Sequence, residues 1–299
     1  MFNDGTPIAV VGPGAVGGLI AALLHRHGMN VVAVARAGTA RAISSEGLTI
    51  HSALLGDWTA HVPAQESVPA GARVILAVKA FALPQTVPAL AAAEPVEIIS
   101  LLNGVEHMDH LRRTFPGTTL LGGTITVEAA RKSTTVIEHR SPFIKIAVPE
   151  AGATSAVVQA LDQAGVEVAT GGSGPAVLWT KLRFLAPLAL LTAYWDAPLG
   201  SALGRDEQLR ARLIEEVSSV ATAEGLPTGP AELSKILATL PPTMRSSLQS
   251  DLSAGRESEI EAIGGAVIRR AQEHGLPVPT TIKVVTDLRH RQTGQPQTR

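Results

Sequence analysis

The chain has 299 residues, 45% of them hydrophobic and 17% charged, with a formal net charge of -1 and no cysteine. That length accommodates two domains of ordinary size, and the apolar share is too high for a disordered chain. The near-neutral balance gives no electrostatic case for nucleic acid or an anionic membrane surface, and the missing cysteines exclude disulfides, thiolate metal sites and cysteine nucleophiles.

Met1 to Thr6 carries Asp4 and no positive charge before the first apolar run, so no signal peptide is expected and the cytoplasm is the default compartment. Pro7 to Val11 is a short apolar run ending at Gly12, as a buried parallel strand would. Ala15 to His27 has a helical pattern with Gly28 in the stop position, and Asn30 to Ala35 is a second apolar strand. Val74 to Val78 and Val96 to Leu101 read as further strands, separated by a helical segment over Ala82 to Ala93. This alternation predicts an α/β fold with a mostly parallel, doubly wound sheet, to which Thr118 to Leu121, Thr134 to His139 and Phe143 to Val148 add later strands.

Gly171 to Pro175 is rich in glycine, serine and proline and reads as the entry to a second domain. Helices are expected at Ala176 to Trp195, Arg205 to Glu224, Ala231 to Leu240 and Glu257 to His274, with a last one from Thr280 to about Arg289. The expected division is therefore 1–170, a Rossmann domain, and 171–299, an all-helical domain. Arg291 to Arg299 is polar, lacks a period and is expected to fray. Leu185 to Tyr194 is the nearest approach to a membrane span, but Lys181, Arg183 and Asp196 flank it closely, so a buried helix is expected.

Gly12, Pro13, Gly14, Ala15, Val16 and Gly17 have the G-x-G-x-x-G spacing, follow a strand and open a helix. The glycines suit a tight turn, close backbone approach to a pyrophosphate and close helix–strand packing, and the helix start offers free N–H groups and a positive dipole end. An NAD site would place an acid at the end of the second strand to hold the ribose 2′-hydroxyl. Here that strand ends in Ala35-Arg36, and the first acid afterwards is Glu46. Arg36 can pair with a 2′-phosphate through its planar fork, with Arg41 adding to the field, so NADP(H) is the expected cofactor. The plain alternative for Arg36 is a solvated surface arginine.

With these residues in place, the chain resembles the ketopantoate reductase (2-dehydropantoate 2-reductase) family over nearly its whole length. The landmarks are Gly12 to Gly17, Arg36, Val78-Lys79-Ala80, Asn103-Gly104, and Leu178-Trp179-Thr180-Lys181-Leu182. Further on come Ser247-Leu248-Gln249-Ser250-Asp251, Glu259-Ile260, and Gly275-Leu276-Pro277-Val278-Pro279. The resemblance implies an NADPH-dependent reductase of a small-molecule ketone or 2-oxo acid. In it Lys181 is the proton donor, and Glu259 lies near that lysine, the cofactor and the substrate hydroxyl. Lys79 and Asn103 would face the cofactor, Asn103 also the reacting carbonyl, and Ser247 would hold the substrate carboxylate, with Asp251 completing the motif.

Chemistry agrees with those types: an ammonium stabilises a developing alkoxide and then releases its proton, and a neighbouring carboxylate keeps it charged and oriented. Each residue has a plainer reading beside this one. Lys181 could be a cation snorkelling from a helix end, Glu259 a helix-surface acid close to Arg256, Lys79 and Asn103 solvent residues, and Ser247 a helix N-cap.

The family usually carries asparagines four and eight residues beyond the lysine and another near the helix end. Here these positions are Leu185, Ala189 and Leu199. Three polar contacts to the hydroxylated keto acid thus become apolar, which predicts a substrate pocket less polar than ketopantoate needs. Arg183, at a family position usually small and apolar, reads either as a new anion contact or as a solvent-facing residue. Two other readings fit the same fold: reduction of another electrophile such as an imine, and a non-catalytic NADPH-binding sensor. The nine histidines have no metal-ligand spacing, so no metal is expected, and His107 and His110 are placed on the surface of a short helix after Asn103. The sequence leaves room for a homodimer.

Overall fold

The computed structural model describes residues 5–294. They form two compact units: residues 5–102 with His107–Val177, and Asn103–Glu106 with residues 178–294. The readings made for Asp4 and for residues 295–299 lie outside the described residues.

In the first unit the strands are β1 (Ile8–Val11), β2 (Val31–Val34), β3 (Leu48–Ser52), β4 (Trp58–Ala60), β5 (Ala64–Gln65), β6 (Arg73–Leu76), β7 (Glu97–Ser100), β8 (Thr119–Gly122), β9 (Thr124–Thr126), β10 (Ala129–Arg131), β11 (Val136–His139), β12 (Lys145–Val148) and β13 (Glu167–Thr170). The helices are α1 (Ala15–Arg26), α2 (Ala37–Glu46), α3 (Leu83–Ala92), α4 (His107–Thr114) and α5 (Ala156–Gln163). The main sheet has the order β5-β2-β1-β6-β7-β8, and every neighbouring pair is parallel. That is the doubly wound Rossmann order, whose direction reverses between β1 and β6, and ligands bind beyond the carboxyl ends of the strands at this switch.

The local reasons are visible in the sequence. β1 (Ile-Ala-Val-Val) and β2 (Val-Val-Ala-Val) are β-rich and buried at every position, as strands covered on both faces must be. α1 contributes Leu19, Ile20, Leu23 and Leu24 to the same core as Val10, Ile75 and Ile99. It stops at Gly28, whose φ of +73° favours glycine.

Two smaller sheets stand apart from the main one, β10-β11-β3-β4 and β13-β12-β9. The strands expected at Thr134 to His139 and Phe143 to Val148 do form, as β11 and β12, but in these sheets and not in the doubly wound one. β11 pairs parallel with β3 and antiparallel with β10, a long-range pairing that local pattern does not encode. α2, β3, β4 and α5 were not among the elements expected from the sequence. His107 is buried, not on the surface of α4 as expected.

The second unit is helical. α6 (Gly174–Trp195) begins at the end of the first unit and continues into it. α7 (Leu199–Arg205), α8 (Glu207–Ala223), α9 (Pro230–Thr239), α10 (Ser247–Ser253), α11 (Ala266–Glu273) and α12 (Pro279–Thr293) follow. α6 is long and apolar enough to cross a membrane, yet most of its apolar window is buried within the protein. Asp206 caps α8 by accepting from Leu209 N, and proline opens α9 and α12, as the first helical turn permits. The buried Glu216 of α8 takes the free N–H groups of Thr280 and Thr281 at 2.8 and 2.7 Å, satisfying the start of α12.

Two expected helices differ in extent. The segment expected to be helical from Glu257 is irregular up to Glu259, then forms a π-helical turn at Glu261–Gly265 before α11. The last helix continues to Thr293, so Arg291 to Thr293 are helical where fraying was expected.

Candidate functional site

The glycine loop sits at the reversal of the main sheet. Gly12 has φ +87°, and a Cβ there would lie 2.6 Å from Val78 Cγ1. Gly17 packs so closely that a Cβ would come within 2.3 Å of the Gly12 carbonyl oxygen. Gly14, the N-cap of α1, has no heavy atom within 4 Å of a would-be Cβ. No side chain caps the helix there. Two glycines thus make the turn and the packing, and the middle one leaves room in front of the helix start. Pro13 is buried while Ala15 and Val16 are partly accessible. This cradle fits a dinucleotide pyrophosphate: the glycines a Cβ would block are those the geometry needs.

Arg36 follows β2 as the exposed N-cap residue of α2. An open cleft of about 480 Å³ runs along the same helix, lined by Ala37, Arg41, Ser44 and Gln65 among others. Lys79 is exposed three residues after β6.

The second unit brings together three residues distant in sequence. Lys181 Nζ donates to Asn103 Oδ1 at 2.9 Å, and Asn103 Nδ2 donates to Glu259 Oε2 at 3.0 Å. The amide thereby links the ammonium to the carboxylate. Glu259 is only 4% exposed, and Arg256 pairs with Asp251 at 2.9 Å. The reading of Glu259 as a surface acid is thereby corrected. Burial pulls the Lys181 ammonium down to about 8, opposed by the attraction of the Glu259 carboxylate. An ammonium with that value is charged at neutral pH and gives up its proton readily.

Asn103 is held by its neighbour. Gly104 has φ +88°, and a Cβ would lie 2.3 Å from the carbonyl oxygen of Ala262 in the π-helical turn. π-turns recur at functional sites because their wider ring displaces side chains from the ordinary register.

The remaining sequence candidates sort differently. Leu185 is partly accessible, whereas Ala189 and Leu199 have no accessible surface. Ser247 is exposed in the first turn of α10, and the N-cap is its neighbour Ser246, which accepts from Gln249 N at 3.0 Å. Ser246 also bonds Thr192 Oγ1 of α6 at 2.8 Å. The cap reading given to Ser247 therefore belongs one residue earlier. Arg183 is neither solvent-facing nor a free anion contact: Nη1 reaches Glu232 Oε1 at 3.2 Å and Thr228 Oγ1 at 3.3 Å.

Sequence reading passed over Glu106 and Arg269, a bidentate pair with Nε to Oε1 at 2.8 Å and Nη2 to Oε2 at 2.6 Å. They are 163 residues apart, so no local pattern could join them. Among the described residues, no group of three or more histidine, aspartate or glutamate side chains is placed to hold a metal ion.

The family described as ketopantoate reductase PanE/ApbA matches residues 8–151, and its C-terminal counterpart matches residues 176–292. An uncharacterized oxidoreductase of Bacillus subtilis, YkpB, is 30% identical, covering 93% of this chain and 96% of that protein. The 2-dehydropantoate 2-reductase of Salmonella typhimurium is 27% identical, over 96% of this chain and 95% of its own. A crystal structure of a PanE/ApbA family ketopantoate reductase from Ralstonia eutropha superimposes with a TM-score of 0.87 at 27% identity, covering 97% of this chain and 99% of that one. The chain belongs to the ketopantoate reductase PanE/ApbA family and is an oxidoreductase acting on a C=O group.

Proposed function

We propose that this protein reduces a ketone or 2-oxo acid with NADPH, using Lys181 as the proton donor. The observation that carries the reading is the Lys181–Asn103–Glu259 chain of hydrogen bonds, which puts a depressed ammonium under the control of an amide and a buried carboxylate. A bound nicotinamide would supply the hydride to the carbonyl carbon. Lys181 would hold a proton toward the carbonyl oxygen and pass it to that oxygen as negative charge develops. Asn103 fixes the direction of the ammonium, and Glu259 favours its charged state before transfer.

Gly12 to Gly17 would seat the pyrophosphate. Arg36, at the end of a strand that offers no acid to a ribose hydroxyl, would take the 2′-phosphate. Lys79 would face the cofactor. Asn103, Lys181, Leu185 and Ser247 would line the substrate, whereas Ala189, expected there from the sequence, is fully buried. The substrate side is less polar than ketopantoate asks for. Leu185 carries that argument, because Ala189 and Leu199 present no surface without a shift of the chain. The proposal includes a small-molecule substrate and a cytoplasmic location.

The test is NADPH consumption with ketopantoate and with 3,3-dimethyl-2-oxobutanoate, which has a methyl group in place of the hydroxymethyl. The reading expects the second acid to be preferred and Lys181→Ala to abolish turnover of both. Efficient ketopantoate turnover, with kcat/KM of about 10⁴–10⁸ M⁻¹s⁻¹ and above that of the methyl analogue, would refute the less polar pocket. Unimpaired Lys181→Ala would refute the proton donor.

A further inference from the structure

The segment carrying Asn103 and the π-helical turn that follows Glu259 are fastened to one guanidinium. Arg269, on α11, grips Glu106 with both arms of its fork, at 2.8 and 2.6 Å. Glu106 lies three residues beyond Asn103. The same guanidinium donates from Nη1 to Glu261 Oε2 at 3.1 Å and from Nη2 to the Glu261 carbonyl oxygen at 2.7 Å. Glu261 lies two residues beyond Glu259, at the start of the π-helical turn. Arg289 of α12 holds the far side of the Glu261 carboxylate at 2.6 and 2.8 Å.

We propose that Arg269 is a positioning residue for the reaction, setting the distance between Asn103 and Glu259 by clamping Glu106 and Glu261 together. The inference rests on the reading of Lys181, Asn103 and Glu259 as the proton-transfer group. Three observations favour positioning over plain surface pairing. First, the pair lies at the surface, with Arg269 41% and Glu106 31% exposed, and ion pairs so placed contribute little to stability on their own. Second, the contacts are bidentate and join a carboxylate to a backbone carbonyl, a geometry that fixes direction as well as distance. Third, α11 is preceded by Gly265 where an alanine would serve helix formation better. A Cβ at Gly265 would come 2.5 Å from Glu261 Oε2 and 2.9 Å from Arg269 Nη1. The glycine leaves the space that the clamp occupies.

This last point supplies a gentle test. Gly265→Ala is expected to keep the helix, because the atoms it meets are the ends of two flexible side chains, yet it must displace the clamp. Arg269→Gln removes the charge directly. With NADPH and whichever of ketopantoate and 3,3-dimethyl-2-oxobutanoate is turned over faster, Arg269→Gln is expected to lower kcat by about 10- to 100-fold. Gly265→Ala is expected to lower it by a smaller factor with an unchanged melting temperature. In an Asn103→Ala background both substitutions are expected to have no further effect, because the residue they act through is gone.

Full kcat in both single variants, with Lys181→Ala inactive, would overturn the clamp while the proton-donor reading stands. Undiminished multiplication of the Arg269→Gln effect on Asn103→Ala would also overturn it. Turnover retained by Lys181→Ala would instead remove the reading on which the clamp rests.

Discussion

The Lys181 ammonium donates to the side-chain oxygen of Asn103 at 2.9 Å, across 78 positions of sequence. The amide can make this contact only with its oxygen turned toward the lysine, so its NH₂ is left to donate elsewhere, and it finds Glu259. One planar group thus links a cation and an anion. Burial brings the Lys181 ammonium down to about 8, against the pull of the Glu259 carboxylate.

A pH dependence follows from that value. Lys181 carries its proton below about 8 and loses it above. As donor in the reductive direction it should therefore support turnover at neutral pH, with kcat falling as pH rises through about 8. A profile flat from pH 6 to 10 would contradict the assignment. Because the folded value lies below that of a free lysine, the charged form opposes folding at neutral pH. Lys181→Met should raise stability by about 1–3 kcal/mol while removing activity, which denaturant unfolding and a turnover assay would check together.

Gly104→Ala should damage both fold and activity. Its φ of +88° costs a side-chain-bearing residue about 1–2 kcal/mol, and the Cβ would press on the backbone oxygen of Ala262, which has no flexible end to yield. A loss of about 2–4 kcal/mol is expected, with kcat reduced more than about tenfold because Asn103 moves with it. Thermal unfolding and kinetics report the two effects separately.

Arg36→Ala should erase the preference for NADPH over NADH. A charge-assisted bond to a 2′-phosphate contributes about 1.5–3 kcal/mol, so the ratio of kcat/KM values should change by roughly 10- to 150-fold, mostly through NADPH. An unchanged ratio would mean that the arginine only faces solvent.

Arg183→Ala should cost stability and leave the substrate KM within about twofold. The side chain is 16% exposed and pairs with the more exposed Glu232, so the lost packing and ion pair together should amount to about 0.5–1.5 kcal/mol. A large rise in KM would return Arg183 to the site.

By itself the sequence determined the Rossmann core and its cofactor loop. β1, α1 and β2 follow from contiguous apolar runs and from the spacing of Gly12, Gly14 and Gly17, patterns contained in a short stretch of chain. The helical nature of the C-terminal half was legible for the same reason, in the 3.6-residue period of its apolar positions. What only the tertiary structure decided depends on residues far apart in sequence. β11 and β12 entered separate sheets because strand pairing is non-local. Arg183 turned to Glu232, and the helix cap fell on Ser246 in place of Ser247, because neighbouring helices fixed where those side chains could reach. Lys181, Asn103 and Glu259 were each legible as a candidate. Their joining through a single amide was not, since that required Gly104 to seat a strap against a π-helical turn some 160 residues further along the chain.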